Sequence, residues 1–170
     1  MTWVILDTSY LLEIYRVPGK HDPAAHSEIT ARLAAHIAGS GRIYVPIPVI
    51  FEFANHIADL ADGGARFNLA AKLKETIHSS LETASPWIIM PFRQNDLLDE
   101  VTGALVDHCR HFAEQYAVQG VGLTDIALID AANRLSKMAA RQTPRASVHI
   151  WTRDVALKAR EPDCEQDPFV

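Results

Sequence analysis

The feature that most constrains this chain is an alternation. Four apolar runs, each too short to be a helix, are separated by longer stretches of helical period. The runs are Trp3–Leu6, Ile43–Val45, Trp87–Met90 and Val148–Trp151, and none of them alternates apolar with polar residues. A strand with no polar face must be covered on both sides, which is the signature of a parallel sheet with helices packed around it. At 170 residues with 48% hydrophobic side chains, the chain has the length and core material of one domain, expected over residues 1–170.

Between the runs the helical signals are local. Asp22–Pro23 predicts an N-cap followed by proline in the first turn, with Ile29, Leu33 and Ile37 facing inward until Gly39 stops the helix. Pro46 closes the second strand, and Pro48 predicts the start of a helix carrying Val49, Glu52, Phe53, His56 and Ile57, ended by Gly63–Gly64. Leu69, Leu73, Ile77 and Leu81 make the stripe of the next helix. A long amphipathic segment is expected from Asn95–Asp96 through Leu98, Val101, Leu105, Cys109, Phe112 and Tyr116, as core or as a dimer face, with Gly120 and Gly122 at its end. Thr124 reads as the N-cap of a helix that turns Leu128, Ile129, Ala132 and Leu135 inward, and a short helix is expected from Asp154.

Several function classes are disfavoured early. No apolar run approaches the roughly 20 residues that span a bilayer, and no basic region precedes Asp7, so a cytoplasmic protein is expected. Sixteen Lys and Arg against 21 Asp and Glu give a net charge of −5, which argues against nucleic-acid binding driven by bulk positive charge. Cys109 and Cys164 offer neither a disulfide framework nor a zinc motif. The eight histidines form no closed ligand set, and the His108/His111 spacing has no answering pair.

Four acids stand out by position. Asp7 follows the first strand and Asp154 the last, and in open parallel sheets ligands bind outside the carboxyl ends of the strands. Two acids there repel each other unless a cation joins them, and a hard divalent metal suits oxygen donors. Glu52 sits in the apolar turn Val49–Ala54, where an acid between two phenylalanines must face a cleft or solvent. Asp125 opens a helix, where the helix dipole favours an anion. Each also has a plain structural reading: an N-cap for Asp154, helix-end electrostatics for Asp125, and a solvated acid for Glu52.

Taken in order, the strings Val4–Ile5–Leu6–Asp7–Thr8–Ser9, Pro48–Val49–Ile50–Phe51–Glu52, Leu123–Thr124–Asp125 through Ala132, and Trp151–Thr152–Arg153–Asp154 resemble the PIN-domain ribonuclease family over nearly the whole chain. The resemblance implies a three-layer α/β/α sandwich with a central parallel sheet. It also implies an Mg²⁺ or Mn²⁺ site for cutting RNA, in which Asp7, Glu52, Asp125 and Asp154 match the acidic quartet and Thr8, Ser9 and Thr152 the hydroxyls beside it. The VapC-like toxin branch would add an antitoxin partner, and a homodimer is a further expectation. Asp130 lies five residues after Asp125, about 140° around a helix, so both cannot enter one tight site. Asp125 is the expected member.

Around these acids, His56 lies one helical turn after Glu52, and Arg16, Lys20, His21, Arg153, Lys158 and Arg160 flank Asp7 or Asp154, either as cations facing RNA phosphates or as ordinary surface charge. Two rival readings are a phosphotransferase of the haloacid dehalogenase type and a non-catalytic PIN-fold module binding RNA or protein. The first wants a second Asp where Ser9 stands.

Overall fold

Proline, glycine and short polar caps divide this chain into strands and helices that alternate from end to end. The structure, a computed structural model, describes residues 1–90 and 97–169, the side chains of 97–102 excepted. The strands are β1 (Thr2–Leu6), β2 (Arg42–Pro46), β3 (Ile88–Met90) and β4 (Ser147–Trp151). They form one all-parallel sheet in the order β3-β2-β1-β4, with Leu6 opposite Trp151 and Ile5 opposite Tyr44. Residues Trp3 to Leu6 and Val148 to Trp151 are buried throughout, as unalternated strands covered on both faces must be. The molecule is therefore an α/β protein.

Seven α-helices lie among the described residues: α1 (Thr8–Ile14), α2 (Pro23–Ala38), α3 (Ile47–Ala58), α4 (Gly63–Thr83), α5 (Leu97–His111), α6 (Leu123–Ala139) and α7 (Val155–Lys158). Asp22 caps α2 by accepting from Ala24 N at 2.7 Å, and Gly39 ends it, both as the sequence predicts. The inward stripe of α2 is shorter than expected. Ile29 is fully buried while Ile37 is exposed.

Two expectations about helix ends are corrected, and one helix is added. Gly63–Gly64 does not end a helix but opens α4, because Asp62 immediately before them accepts from Gly64 N at 2.8 Å. The N-cap of α6 is Gly122 rather than Thr124, which lies inside the first turn. Helix α1 has no counterpart in the sequence reading: at seven residues it is too short to show a period, and Asp7 caps it.

The expected stripe of α4 reaches the core through Leu73, with Leu69 and Ile77 packed against it, and stops short at its last member. Leu73 of α4 is buried but Leu81 is exposed. On α5, Leu105 and Cys109 are exposed, as is Phe112 just beyond it, so this stripe is a surface and not core. The expected helix start at Asn95–Asp96 and the side chains of Leu98 and Val101 lie outside the described residues. Beyond α5 the chain passes through a π-helical turn at Phe112–Tyr116 and a 3-10 turn at Ala117–Gln119, and Gly120, at φ 71°, takes the left-handed conformation that lets it turn back.

The C-terminal segment closes the edge of β4. Asp163 accepts from Val148 N at 2.8 Å through its side chain and donates its own N–H to Val148 O at 3.3 Å, while Glu161 accepts from Ile150 N at 3.1 Å. Backbone donors on an edge strand are thereby satisfied by carboxylates instead of another strand. No helix among the described residues is long and apolar enough to cross a membrane.

Candidate active site

Strand order locates the site. From β1 the chain builds outward through β2 to β3, then returns to add β4 on the other side of β1. The point where the order reverses, between β1 and β4, is where a crevice opens at the carboxyl ends of an α/β sheet. Asp7 leaves β1 there, and Thr152 leaves β4 directly beside it: Asp7 N donates to Trp151 O at 3.0 Å, and Thr152 Oγ1 donates to Asp7 Oδ2 at 2.9 Å.

Asp7 and Thr152 are both buried, and Ser9 completes the arrangement by donating through Oγ to the same Asp7 Oδ2 at 2.7 Å. Ser9 N adds a longer contact of 3.3 Å from the first turn of α1. Ser9 Oγ in turn accepts from Arg153 N, and Thr152 Oγ1 accepts from Asp154 N, both at 2.9 Å. Two hydroxyls thus weld the turn after β4 to the turn after β1.

Glu52 reaches the same edge because α3 begins at the carboxyl end of β2. Its Oε2 accepts from Thr8 Oγ1 at 2.9 Å, tying α3 to the start of α1. Asp125 stands in the first turn of α6, and its Oδ2 accepts from Gly122 N at 2.9 Å. Asp154 caps α7 with Oδ1, which accepts from Ala156 N at 2.7 Å and Leu157 N at 3.1 Å, so its plain reading as an N-cap is realised.

A pattern joins the four acids. Asp7, Glu52, Asp125 and Asp154 each commit one carboxylate oxygen to a donor of the fold, and among the described residues the other oxygen of each receives no hydrogen bond. The four are also electrostatic neighbours. Burial raises the Asp125 carboxyl above its ordinary value; the Gly122 N–H opposes that shift, and the negative charges of Asp7, Glu52 and Asp154 reinforce it.

The donors are all oxygens, which fits a hard cation such as Mg²⁺ or Mn²⁺. The chain holds them apart. Among the described residues, the set of three or more ligand groups whose atoms all lie within 4.8 Å of one another is His149, Glu161 and Glu165, not the quartet. A loose quartet suits an ion that keeps several of its waters and takes only one or two carboxylates directly.

The His149, Glu161 and Glu165 cluster already contains a cation. Lys158, itself buried, donates through Nζ to Glu161 Oε2 at 2.7 Å, Glu165 Oε2 at 2.6 Å and Ile150 O at 3.0 Å. Lys158 therefore does not face RNA, contrary to the sequence reading. Its ammonium bridges the two glutamates, and Arg32 supplies a second positive charge to Glu165, so the cluster is already served by cations of the chain. Compared with known proteins, the chain matches no family model, no curated protein and no solved structure.

Asp130 is accounted for separately. It pairs with Arg134 Nε at 2.8 Å and His108 Nε2 at 3.5 Å in a groove between α5 and α6, on the other side of α6 from Asp125. The residue that sequence reasoning missed is Glu13, whose side chain is only 1% exposed. It forms a short ion pair with Arg153 and accepts from Asp22 N at 2.9 Å, which anchors the turn carrying Thr152 and Asp154 to the start of α2. Its partner lies 140 residues away in sequence, so no local pattern exposes it.

Proposed function

We propose that this chain is a metal-dependent endoribonuclease, a PIN-like three-layer α/β/α sandwich that hydrolyses RNA phosphodiester bonds with Mg²⁺ or Mn²⁺. The observation that carries the reading is the four carboxylates at the carboxyl edge of the sheet, each with one oxygen fixed by the fold and one left over. Asp22 and Asp62 also cap helices through one oxygen, so what sets the four apart is their gathering, in which the charges of Asp7, Glu52 and Asp154 all act on Asp125.

The bound ion would be held by Asp7, Glu52, Asp125 and Asp154, and when bound it supplies charge to the phosphoryl oxygens and a hydroxide nucleophile near neutral pH. The rest is positioning. Ser9 and Thr152 fix Asp7 from two sides through one oxygen, so its remaining oxygen keeps a defined direction. Thr8 does the same for Glu52. Asp125 sits in the first turn of a 17-residue helix, whose positive end opposes part of the upward shift that burial imposes on it. Ser9 Oγ is held between Asp7 Oδ2 and Arg153 N as a positioning group, and in this reading water is the attacking group.

Metal binding tests the reading. Mn²⁺ titrated into the protein and followed by electron paramagnetic resonance should bind at one or two sites per chain, with RNA cleavage appearing over the same concentration range. Asp7→Asn should remove that binding. Binding of equal strength in Asp7→Asn would place the ion elsewhere and overturn the assignment.

A further inference from the structure

The turn between α1 and α2 holds Arg16 at φ 53°, in the left-handed region where glycine or asparagine is at ease and a long side chain is strained. Strain of this kind clusters at sites that hold a ligand or a switch. Arg16 Nε donates to His26 Nε2 at 2.9 Å, and His26 Nδ1 donates to Glu13 O at 2.7 Å, so the His26 ring carries its proton on Nδ1. The guanidinium is thereby fixed through one nitrogen. Among the described residues its two terminal nitrogens make no hydrogen bond, and no acid pairs with it.

His21 repeats the pattern, since its Nδ1 donates to Val17 O at 3.0 Å and leaves Nε2 of the neutral ring as an acceptor. Arg16, His21 and His26 line one groove of about 720 Å³ against α2, with Ser27 and Thr30 beside them. None of the four acids of the candidate site lines it, nor does any other acid among the described residues. Thr30 Oγ1 already donates to His26 O at 2.7 Å, whereas the Ser27 hydroxyl makes no hydrogen bond among the described residues. The groove therefore offers several donors together with one acceptor. That set has a chemical preference. Sulfate and phosphodiesters only accept hydrogen bonds near neutral pH, and would leave His21 Nε2 unpaired against an oxygen. Hydrogen phosphate accepts through three oxygens and donates through the fourth.

We propose that this groove binds a phosphate that carries a hydrogen, with Arg16 and Ser27 donating to its oxygens and its P–OH donating to His21 Nε2. The ligand is inorganic phosphate or the singly protonated phosphate of a monoester. The site is distinct from the acidic edge, and it stands or falls independently of the nuclease reading.

The test is equilibrium dialysis of the whole chain against radiolabelled inorganic phosphate at about pH 7.5, where most imidazole of ordinary pKa is neutral. Saturable binding of one phosphate per chain is expected, with sulfate and dimethyl phosphate displacing it about tenfold less well than unlabelled phosphate, the difference one hydrogen bond makes. Displacement by 5′-adenylate better than by phosphate assigns the site to a monoester, and weaker displacement assigns it to free phosphate. Arg16→Gly and Arg16→Asn relax the left-handed backbone, so both should melt near the wild-type temperature while binding phosphate about 10- to 150-fold more weakly, as for a lost hydrogen bond to a charged group. His21→Asn keeps a donor for Val17 O and removes the acceptor, so phosphate and sulfate should compete equally for it. Equal displacement by sulfate or dimethyl phosphate in wild type, folded Arg16 variants that bind like wild type, or no saturable phosphate binding would overturn the site.

Discussion

Thr152, fully buried at the end of β4, donates its hydroxyl hydrogen to Asp7 at the end of β1 over 2.9 Å, and the same oxygen accepts from Asp154 N. One hydroxyl thus sets the positions of two of the four acids.

Thr152→Val keeps the shape and removes both hydrogen bonds, leaving a buried carboxylate oxygen with fewer donors. Hydrogen bonds to charged groups contribute about 1.5–3 kcal/mol each, so the variant should lose about 2 kcal/mol in urea unfolding. Its RNA cleavage should fall more steeply than Thr8→Val, which frees Glu52 alone.

Asp125 carries the pH dependence. Burial, reinforced by the other three acids, raises its folded-state titration above the ordinary value, so the folded protein holds this proton more firmly than the unfolded chain. The ionised group therefore costs stability at neutral pH, and that cost disappears as pH falls through the raised value toward the ordinary carboxylate range. Without metal, Asp125→Asn should melt above wild type at pH 7, with the difference closing on acidification, because the amide oxygen can still accept from Gly122 N. Saturating Mn²⁺ should reverse the order, since only wild type gains the full binding energy. A melting series from pH 7 to pH 4 with and without Mn²⁺ checks both signs.

Much of this arrangement was legible in the chain. Asp7 and Asp154 could be placed because they punctuate apolar strands, and Glu52 because an acid between two phenylalanines needs a reason. What stayed hidden depends on partners distant in sequence or on short elements. Glu13 and Arg153 meet across 140 residues. Lys158 reads as a surface cation and is in fact enclosed by Glu161 and Glu165. Gly63–Gly64 reads as a stop because glycine is a poor helix former, but the Asp62 cap before it decides the direction. Ile37 and Leu81 continue a helical period past the place where the core ends.

Arg153 holds a carboxylate that is almost wholly buried. Arg153→Met would leave Glu13 charged and without its partner, and since the guanidinium is 37% exposed, solvent would screen part of the effect. A loss of about 2 kcal/mol is expected, against less than about 1 kcal/mol for Arg145→Met, whose exposed guanidinium pairs with Asp163 at the surface. Paired urea curves give the comparison.

Lys158→Met takes the buried ammonium from Glu161, whose side chain is 7% exposed, while Glu165 keeps Arg32, so the cost should lie near the lower end of the range of about 3–5 kcal/mol for breaking a buried pair. The urea midpoint should drop accordingly. Wild-type Mn²⁺ stoichiometry should be unchanged by His149→Gln, because cations of the chain already serve that cluster.

The most direct measurement is the single-turnover rate of RNA cleavage in Mn²⁺ by wild type, Asp7→Asn and Asp130→Asn. An unstructured RNA and a pool of structured RNAs should both be offered, so that a narrow target is not missed. Cleavage by wild type, its loss in Asp7→Asn to less than about one hundredth, and a rate within a few fold of wild type in Asp130→Asn are the predicted results, since stabilising charge at the reacting group is worth roughly 10²–10³ in rate. No cleavage of any RNA by wild type, or an Asp7→Asn protein that cuts as fast as wild type, would contradict the account.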